Sequence, residues 1–186
     1  MSITKAIIIL AIGLLLGYDV TAQTEAKPVT LPESVLNAEL ASVDGSSHFR
    51  LADYSGKVLV LYIWASWCGP CRLSSPAING FHKEYAGRGV EVIGLVVGDA
   101  KSEARETLAF TRKFEHEFQS GWMDKATTEG LMGDSNNYRN GVIPQFLVIT
   151  SYGYFFKRIV GYHPKQTPEL LRATVEEALS NPSLMQ

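Results

Sequence analysis

Hydrophobic positions divide the chain into stretches of different period. Leu36, Ala38 and Leu40 alternate with polar neighbours, which predicts a half-buried strand. A turn at Val43-Asp44-Gly45-Ser46 then lets His48 to Leu51 return as its partner. After a second turn at Ser55-Gly56-Lys57, Val58 to Trp64 (VLVLYIW) is continuously apolar, as a central strand covered on both faces should be. Val90 to Val97 (VEVIGLVV) reads as a second buried strand. Between them a helix is expected from about Cys68 to Tyr85, kinked by Pro76 and stopped by Gly87 and Gly89. Asp99 or Ser102 can cap the next helix, along which Phe110, Phe114 and Phe118 recur every four residues as a core-facing stripe. Trp122 and Met123 open a short strand, and Gly130 to Asn140 reads as a short helix and loop. Gln145 to Ile149 and Tyr154 to Val160 flank Ser151-Tyr152-Gly153 as a hairpin. Thr167 caps a last helix with Pro168 at its first position, and Leu171, Val175, Ala178 and Leu179 form its buried face. The order β-β-β-α-β-α-β-α-β-β-α puts parallel crossovers first, then an antiparallel hairpin and a closing helix: an α/β domain.

The first 22 residues stand apart from this pattern. Ala6 to Gly17 (AIIILAIGLLLG) is an apolar run of 12 residues behind Lys5. As a helix it would be about 18 Å long, short of the roughly 30 Å hydrocarbon core. Val20-Thr21-Ala22 supplies small or apolar residues where a signal peptidase cuts, so 1–22 is read as a secretory signal, with an uncleaved interfacial anchor as the alternative. Residues 23–35 read as an extended, polar lead-in, and 36–182 as one domain, the size that 186 residues allow. Apolar residues make up 46% of the chain and charged residues 19%, enough to build a core. Seventeen basic against nineteen acidic side chains leave no excess to neutralise phosphates, which argues against a nucleic-acid partner.

The chemistry sits at Cys68 and Cys71, the only cysteines. Placed where a strand passes into a helix, the first sulfur meets unpaired backbone N–H groups and the positive end of the macrodipole, which favour a thiolate. The second lies one turn on, able to attack a mixed disulfide formed at the first. Cys68 is thus the attacking thiol and Cys71 the resolving one, with Trp67 shielding the pair and offering a flat apolar contact. In an oxidising compartment the two can form a disulfide. Its loop is so small that little crosslinking entropy is gained, so it is a poor staple and better suited to being opened. Other uses fit less well. His48, His82, His116 and His163 provide no pair at zinc-ligand spacing, so no metal or other cofactor is expected. Covalent haem attachment needs His after Cys71, where Arg72 stands. A peroxide-reducing site would want Thr three residues before its cysteine, where this chain has Ala65.

Trp64-Ala65-Ser66-Trp67-Cys68-Gly69-Pro70-Cys71 resembles the active-site segment of the thioredoxin superfamily. Pro76 matches that family's helix-kinking proline, and Val142-Ile143-Pro144 before a strand resembles its cis-proline loop. The N-terminal hairpin, the signal segment and the helix after Asp99 are similar to the secreted TlpA-like branch. The resemblance covers roughly Leu36 to Leu179. It implies a thioredoxin fold, a central mixed sheet flanked by helices, with an N-terminal β-hairpin extension and an inserted αβ element. It also implies thiol–disulfide exchange on disulfide-containing client proteins in the periplasm or cell envelope, and a membrane electron donor. Trp67, Gly69, Pro70, Ile143 and Pro144 would then contact the client. Gly69-Pro70 between the cysteines, and Ile143 before the proline, are similar to reducing thioredoxins, which favours a reductant or isomerase over an oxidase. A client-specific assembly factor for cytochromes or metal sites, and a binding module with vestigial redox chemistry, are the alternatives.

The chain departs from the family's pattern at three places. The buried Asp expected six residues before Cys68 is Tyr62, the Glu expected six residues after it is Ser74, and the Thr expected after the proline is Gln145. Neither acid is there to take the proton of the resolving thiol; Asp99 or Glu103 could fill that gap from a neighbouring loop.

Overall fold

A computed structural model describes residues 29–132 and 141–180 of the protein. The expected signal segment 1–22, residues 133–140 of the expected helix-and-loop, and the domain end at 182 lie outside the described residues. All seven residues of the first long strand, β3 (Val58–Trp64), are buried. Continuous apolar sequence forces this, because a strand with no polar face must be covered on both sides. β3 pairs in parallel with β4 (Val90–Val96), Val58 opposite Val90 through Trp64 opposite Val96. On its other edge it pairs antiparallel with β6 (Gln145–Ile149). β5 (Ser120–Trp122) and β7 (Phe155–Val160) complete a mixed sheet of order β5-β4-β3-β6-β7.

The two-residue period of β3 builds two core layers. Val58, Val60, Tyr62 and Trp64 pack with Ile78, Phe81 and Tyr85 of the helix Gly69–Tyr85, Phe110 of the helix Ala100–Lys113, and Leu171, Val175 and Ala178 of the helix Gln166–Ser180. Leu59, Leu61 and Ile63 face the opposite layer, with Val35, Leu40 and Leu51 from the N-terminal segment and Leu131 from the helix Lys125–Met132. In chain order the helices are α1 (Glu33–Leu36), α2 (Gly69–Tyr85), α3 (Ala100–Lys113), α4 (Lys125–Met132) and α5 (Gln166–Ser180). Each large apolar side chain buried this way contributes about 1.5–3 kcal/mol.

Local expectations need correction at several points. The segment before Leu40 is not extended: Glu33–Leu36 forms a helical turn that buries Val35, and β1 is only Leu40–Ala41. Its partner β2 is His48–Phe49, while Leu51 opens a 3-10 turn, Leu51–Tyr54. The apolar residues here are spaced for docking onto the sheet rather than for pairing. Asp99, not Ser102, caps α3, its carboxylate accepting from the Lys101 amide at 2.9 Å. The aromatic stripe breaks before Phe118. Glu115 takes a left-handed φ of 51°, the His116 amide donates to Thr111 O and the Glu115 amide to Arg112 O, a Schellman ending that reverses the chain. Trp122 ends β5 rather than opening a strand, and Met123 continues only through its amide bond to Val96 O at 3.1 Å. α5 begins at Gln166, one residue before Thr167, whose hydroxyl accepts from the His163 amide at 2.9 Å.

The Schellman turn delivers His116 into an aromatic cluster. Its ring stacks on Phe118 at 4.6 Å and meets the edges or faces of Trp64, Phe110 and Tyr62 at 5.2, 5.7 and 6.4 Å. Burial pushes its pKa down to about 4. Folding therefore favours the neutral ring. The stabilisation is complete above the unfolded-state pKa near 6.5 and is lost as pH falls toward 4. It amounts to about 3 kcal/mol. Urea midpoints across pH 7 to 4 should fall more steeply in the wild type than in His116→Phe, and parallel curves would contradict this. The N-terminal hairpin meets β5 at a seam between Ser42 and Gly121. A methyl group on Gly121 would lie 2.7 Å from the Phe49 ring and 3.2 Å from Ala41 O. Gly121→Ala should lower stability by about 1–3 kcal/mol in urea denaturation.

Candidate active site

Buried β3 hands the chain to a short loop, Ala65 to Trp67, and α2 starts immediately after it. Cys68 is the N-cap, with Gly69 and Pro70 as the first helical residues. Glycine there leaves the approach to the sulfur open, and proline needs no amide at a position where the helix would leave it unpaired. Cys68 and Cys71 are joined as a disulfide, Cα atoms 5.2 Å apart. The Cys71 amide donates to Cys68 Sγ at 3.1 Å. A reduced sulfur in this position would carry its charge at the positive end of a 17-residue helix. Cys68 is 4% exposed and Cys71 not at all, so an incoming sulfur can reach only the first.

The rim is set by two segments distant in sequence. Trp67, 61% exposed, stands beside Cys68 with Gly69 and Pro70, both also exposed. From the loop that enters the neighbouring strand β6, Ile143 brings its carbonyl oxygen to 3.6 Å from Cys68 Sγ. The Ile143–Pro144 bond is cis. That loop is tied from both sides. Pro144 O accepts from the Gly161 amide at 2.8 Å, and the Gln145 side-chain amide donates to Val142 O at 2.9 Å. Arg158 in turn donates to Gln145 Oε1 at 2.8 Å and to Leu131 O of α4. Gln145, which stands where the resemblance led one to expect Thr, thus belongs to a brace under the loop. The composition of β6 and β7 alone gave no sign of this pairing, because Arg158 meets Gln145 only through sheet geometry.

Beneath the cysteines the two missing acids are replaced by neutral hydroxyls. Tyr62 is fully buried on β3, and its hydroxyl lies 2.9 Å from Ser74 Oγ and 3.1 Å from Cys71 O. Ser74 and Ser75 Oγ donate to the same carbonyl at 3.1 and 3.0 Å. Burial pushes the Tyr62 pKa up to about 12, so it is a protonated donor at neutral pH and no base. Asp99 and Glu103 do not fill the gap. Asp99 is engaged by the Lys101 amide and the Ser102 hydroxyl, and Glu103 Oε1 accepts from the Asp99 amide at 3.3 Å. Glu103 instead joins Trp67, Arg72, Phe110 and Phe114 around a groove of about 520 Å³ beside the disulfide. Nothing in the local sequence marks Ser75, and His116 stands out there only as a histidine without a zinc-ligand partner. The signal that could have found Ser75 was its place one turn beyond Cys71 on the buried face of a helix. Among the described residues no group of His, Cys, Asp and Glu is arranged to hold a metal ion.

The chain is similar to proteins of known family. The chain is 33% identical over 101 residues to the thiol-disulfide oxidoreductase ResA of Geobacillus thermodenitrificans, 53% of this chain and 58% of that one. It is 29% identical over 120 residues to the ResA of Bacillus cereus, 64% of each chain. These matches span less than two thirds of the curated relatives. A crystal structure from Chlorobium tepidum, assigned as the thiol:disulfide interchange protein DsbE, superposes with a TM-score of 0.68 at 26% identity over 83% of this chain and 99% of its own. Residues 25–151 match the AhpC/TSA family, and the chain belongs to this family of thioredoxin-like proteins.

Proposed function

We propose that this protein is an extracytoplasmic thiol–disulfide oxidoreductase that reduces disulfides of client proteins through Cys68 and Cys71. The observation that carries the reading is the Cys68 sulfur at the start of α2, accepting the Cys71 amide and lying 3.6 Å from the Ile143 carbonyl. In the reduced protein the Cys68 thiolate attacks one sulfur of a client disulfide, forms a Cys68–client bond and releases the other client sulfur as a thiolate. That thiolate takes the proton of Cys71. The Cys71 thiolate then attacks Cys68 Sγ, re-forms the Cys68–Cys71 disulfide and releases the client's second sulfur. Two electrons have passed to the client.

The rest of the site follows from this reading. Trp67, Gly69 and Pro70 flank the attacked sulfur, and Ile143 offers backbone N–H and C=O groups beside Pro144, a surface suited to an extended client segment. An extracytoplasmic location is supported by the apolar Ala6 to Gly17 segment and by similarity to proteins named ResA and DsbE. No helix among the described residues is long and apolar enough to cross a membrane. In an oxidising compartment the couple needs a membrane-bound reducing partner that returns two electrons after each turnover. Residues 36–182 form the working domain in this reading, and 1–22 direct export.

Replacing either cysteine separates the two roles. Cys68→Ser should abolish reduction of a protein disulfide such as insulin, since no thiolate remains at the helix start. Cys71→Ser should still attack but stall, accumulating mixed disulfides visible on non-reducing gels. Reduction surviving in Cys68→Ser would overturn the assignment.

A further inference from the structure

Cys68 follows a strand that is paired on both edges, and the two neighbouring strands lead to different surroundings. On one edge β6 begins at the Ile143–Pro144 loop. On the other edge β4 passes into α3, the Val97 amide donating to Trp64 O at 2.9 Å on the way. The groove of about 520 Å³ lies on this second flank, between α3 and the Ser66-Trp67 turn. A client chain that meets Ile143 and continues across Cys68 is therefore led toward the groove. Trp67, next to Cys68 in the chain, forms its near wall. Trp64 and Trp122 are buried, so Trp67 is the one tryptophan that the fold leaves open.

The far wall is aromatic. Phe110 stacks on Trp64 at 4.7 Å, and the Phe114 ring follows it at 4.6 Å. Ala109, exposed on the same wall, is a small side chain that leaves the space open. The charges around the groove are not balanced. Glu106 is paired with Arg105 at 2.8 Å. Glu103 is folded back onto the β4–α3 loop: Oε1 accepts from the Asp99 amide at 3.3 Å, and buried Oε2 packs against Gly98, where a Cβ would come within 2.7 Å of it. Arg72 gives one N–H to Ser66 O at 3.2 Å, and the Lys113 ammonium lies 5.7 Å from the centre of the Phe114 ring. Neither cation has a carboxylate within ion-pair reach among the described residues. The groove thus offers rings along its walls and uncommitted positive charge beside them.

We propose that this groove is a second client subsite, on the α3 flank of Cys68, that takes an aromatic side chain of the client with a carboxylate beside it. The ring lies among Trp67, Phe110 and Phe114, and the carboxylate meets Lys113 and Arg72. This rests on the exchange reading and names the kind of client segment that the site selects. The lengths agree: Ser102 to Lys113 is about 16 Å of helix, which about five residues of extended chain cover. Burial of the ring supplies most of the affinity, and the cations choose its neighbour, since an exposed charge pair contributes little.

The test follows oxidation of the prereduced full chain by symmetric disulfides of short synthetic peptides. Phe-Asp, Phe-Lys or Ser-Ser stands shortly before or shortly after the peptide's cysteine. Each rate is read as a ratio to the rate with oxidised glutathione, which has no aromatic ring and reports the exchange chemistry alone. In the wild type, Phe-Asp on one side of the cysteine should react about tenfold faster than Ser-Ser at the same place. It should react about threefold faster than Phe-Lys. Ala109→Trp fills the groove and should remove the tenfold preference. Lys113→Glu should reverse the order of Phe-Asp and Phe-Lys. A wild type that does not distinguish the peptides would overturn the proposal, as would ratios that stay unchanged in both variants. So would a wild-type peptide rate that falls as protein concentration rises, which marks a second copy of the chain in the groove. If the wild type reduces neither the peptides nor oxidised glutathione, the exchange reading fails and the proposal with it.

Discussion

The hydrogen bond from the Cys71 amide to the Cys68 sulfur is possible only because a helix starts just after the short loop, Ala65 to Trp67, that leaves a rigid strand end. β3 cannot move: it is buried on both faces, paired on both edges, and ends in Trp64, whose ring stacks on Phe110 at 4.7 Å. The first turn of α2 therefore holds the sulfur where the unpaired amides and the macrodipole act on it. Electrostatic preorganisation of this kind needs no rearrangement at the moment of reaction.

A second constraint comes from the strand next to β3. Ile143 is 75 residues from Cys68 in sequence, and its carbonyl reaches the sulfur because β6 pairs antiparallel with β3, Gln145 opposite Ile63. Gln145 and Arg158 then tie that loop to α4. Thr in place of Gln145 could not span from Val142 O to the Arg158 guanidinium, so the departure at this position changes what supports the loop rather than removing the support.

The exchange of acids for hydroxyls leaves the bed under Cys71 uncharged, with Tyr62 protonated at neutral pH. Tyr62 fills the place of a carboxylate with a ring that stacks on Phe146 at 5.3 Å and a hydroxyl that meets Ser74. The buried polar atoms gain partners without a buried charge, which avoids the desolvation cost an isolated carboxylate would carry. The consequence is a bed of neutral hydroxyls gathered on the Cys71 carbonyl.

Much of the fold was legible in the chain itself. Unbroken apolar runs identified β3 and β4, because a strand covered on both faces leaves no polar position. The Cys-Gly-Pro-Cys segment at a strand-to-helix junction located the sulfurs, because capping and the helix field are local effects. Short-range readings failed where packing outweighs local pattern. Leu36 and Ala38 alternate like a strand yet belong to a helical turn and its exit, since Val35 is drawn under the sheet. Phe118 keeps the helical spacing of Phe110 and Phe114, but a left-handed Glu115, a conformation no propensity favours for that residue, ends the helix first. The bed under Cys71 was beyond reach for the same reason. Tyr62, Ser74, Ser75 and His116, whose Nε2 lies 3.1 Å from Ser75 Oγ, come from three separate segments, and only the closure of α2 and α3 over one face of β3 makes them a single network.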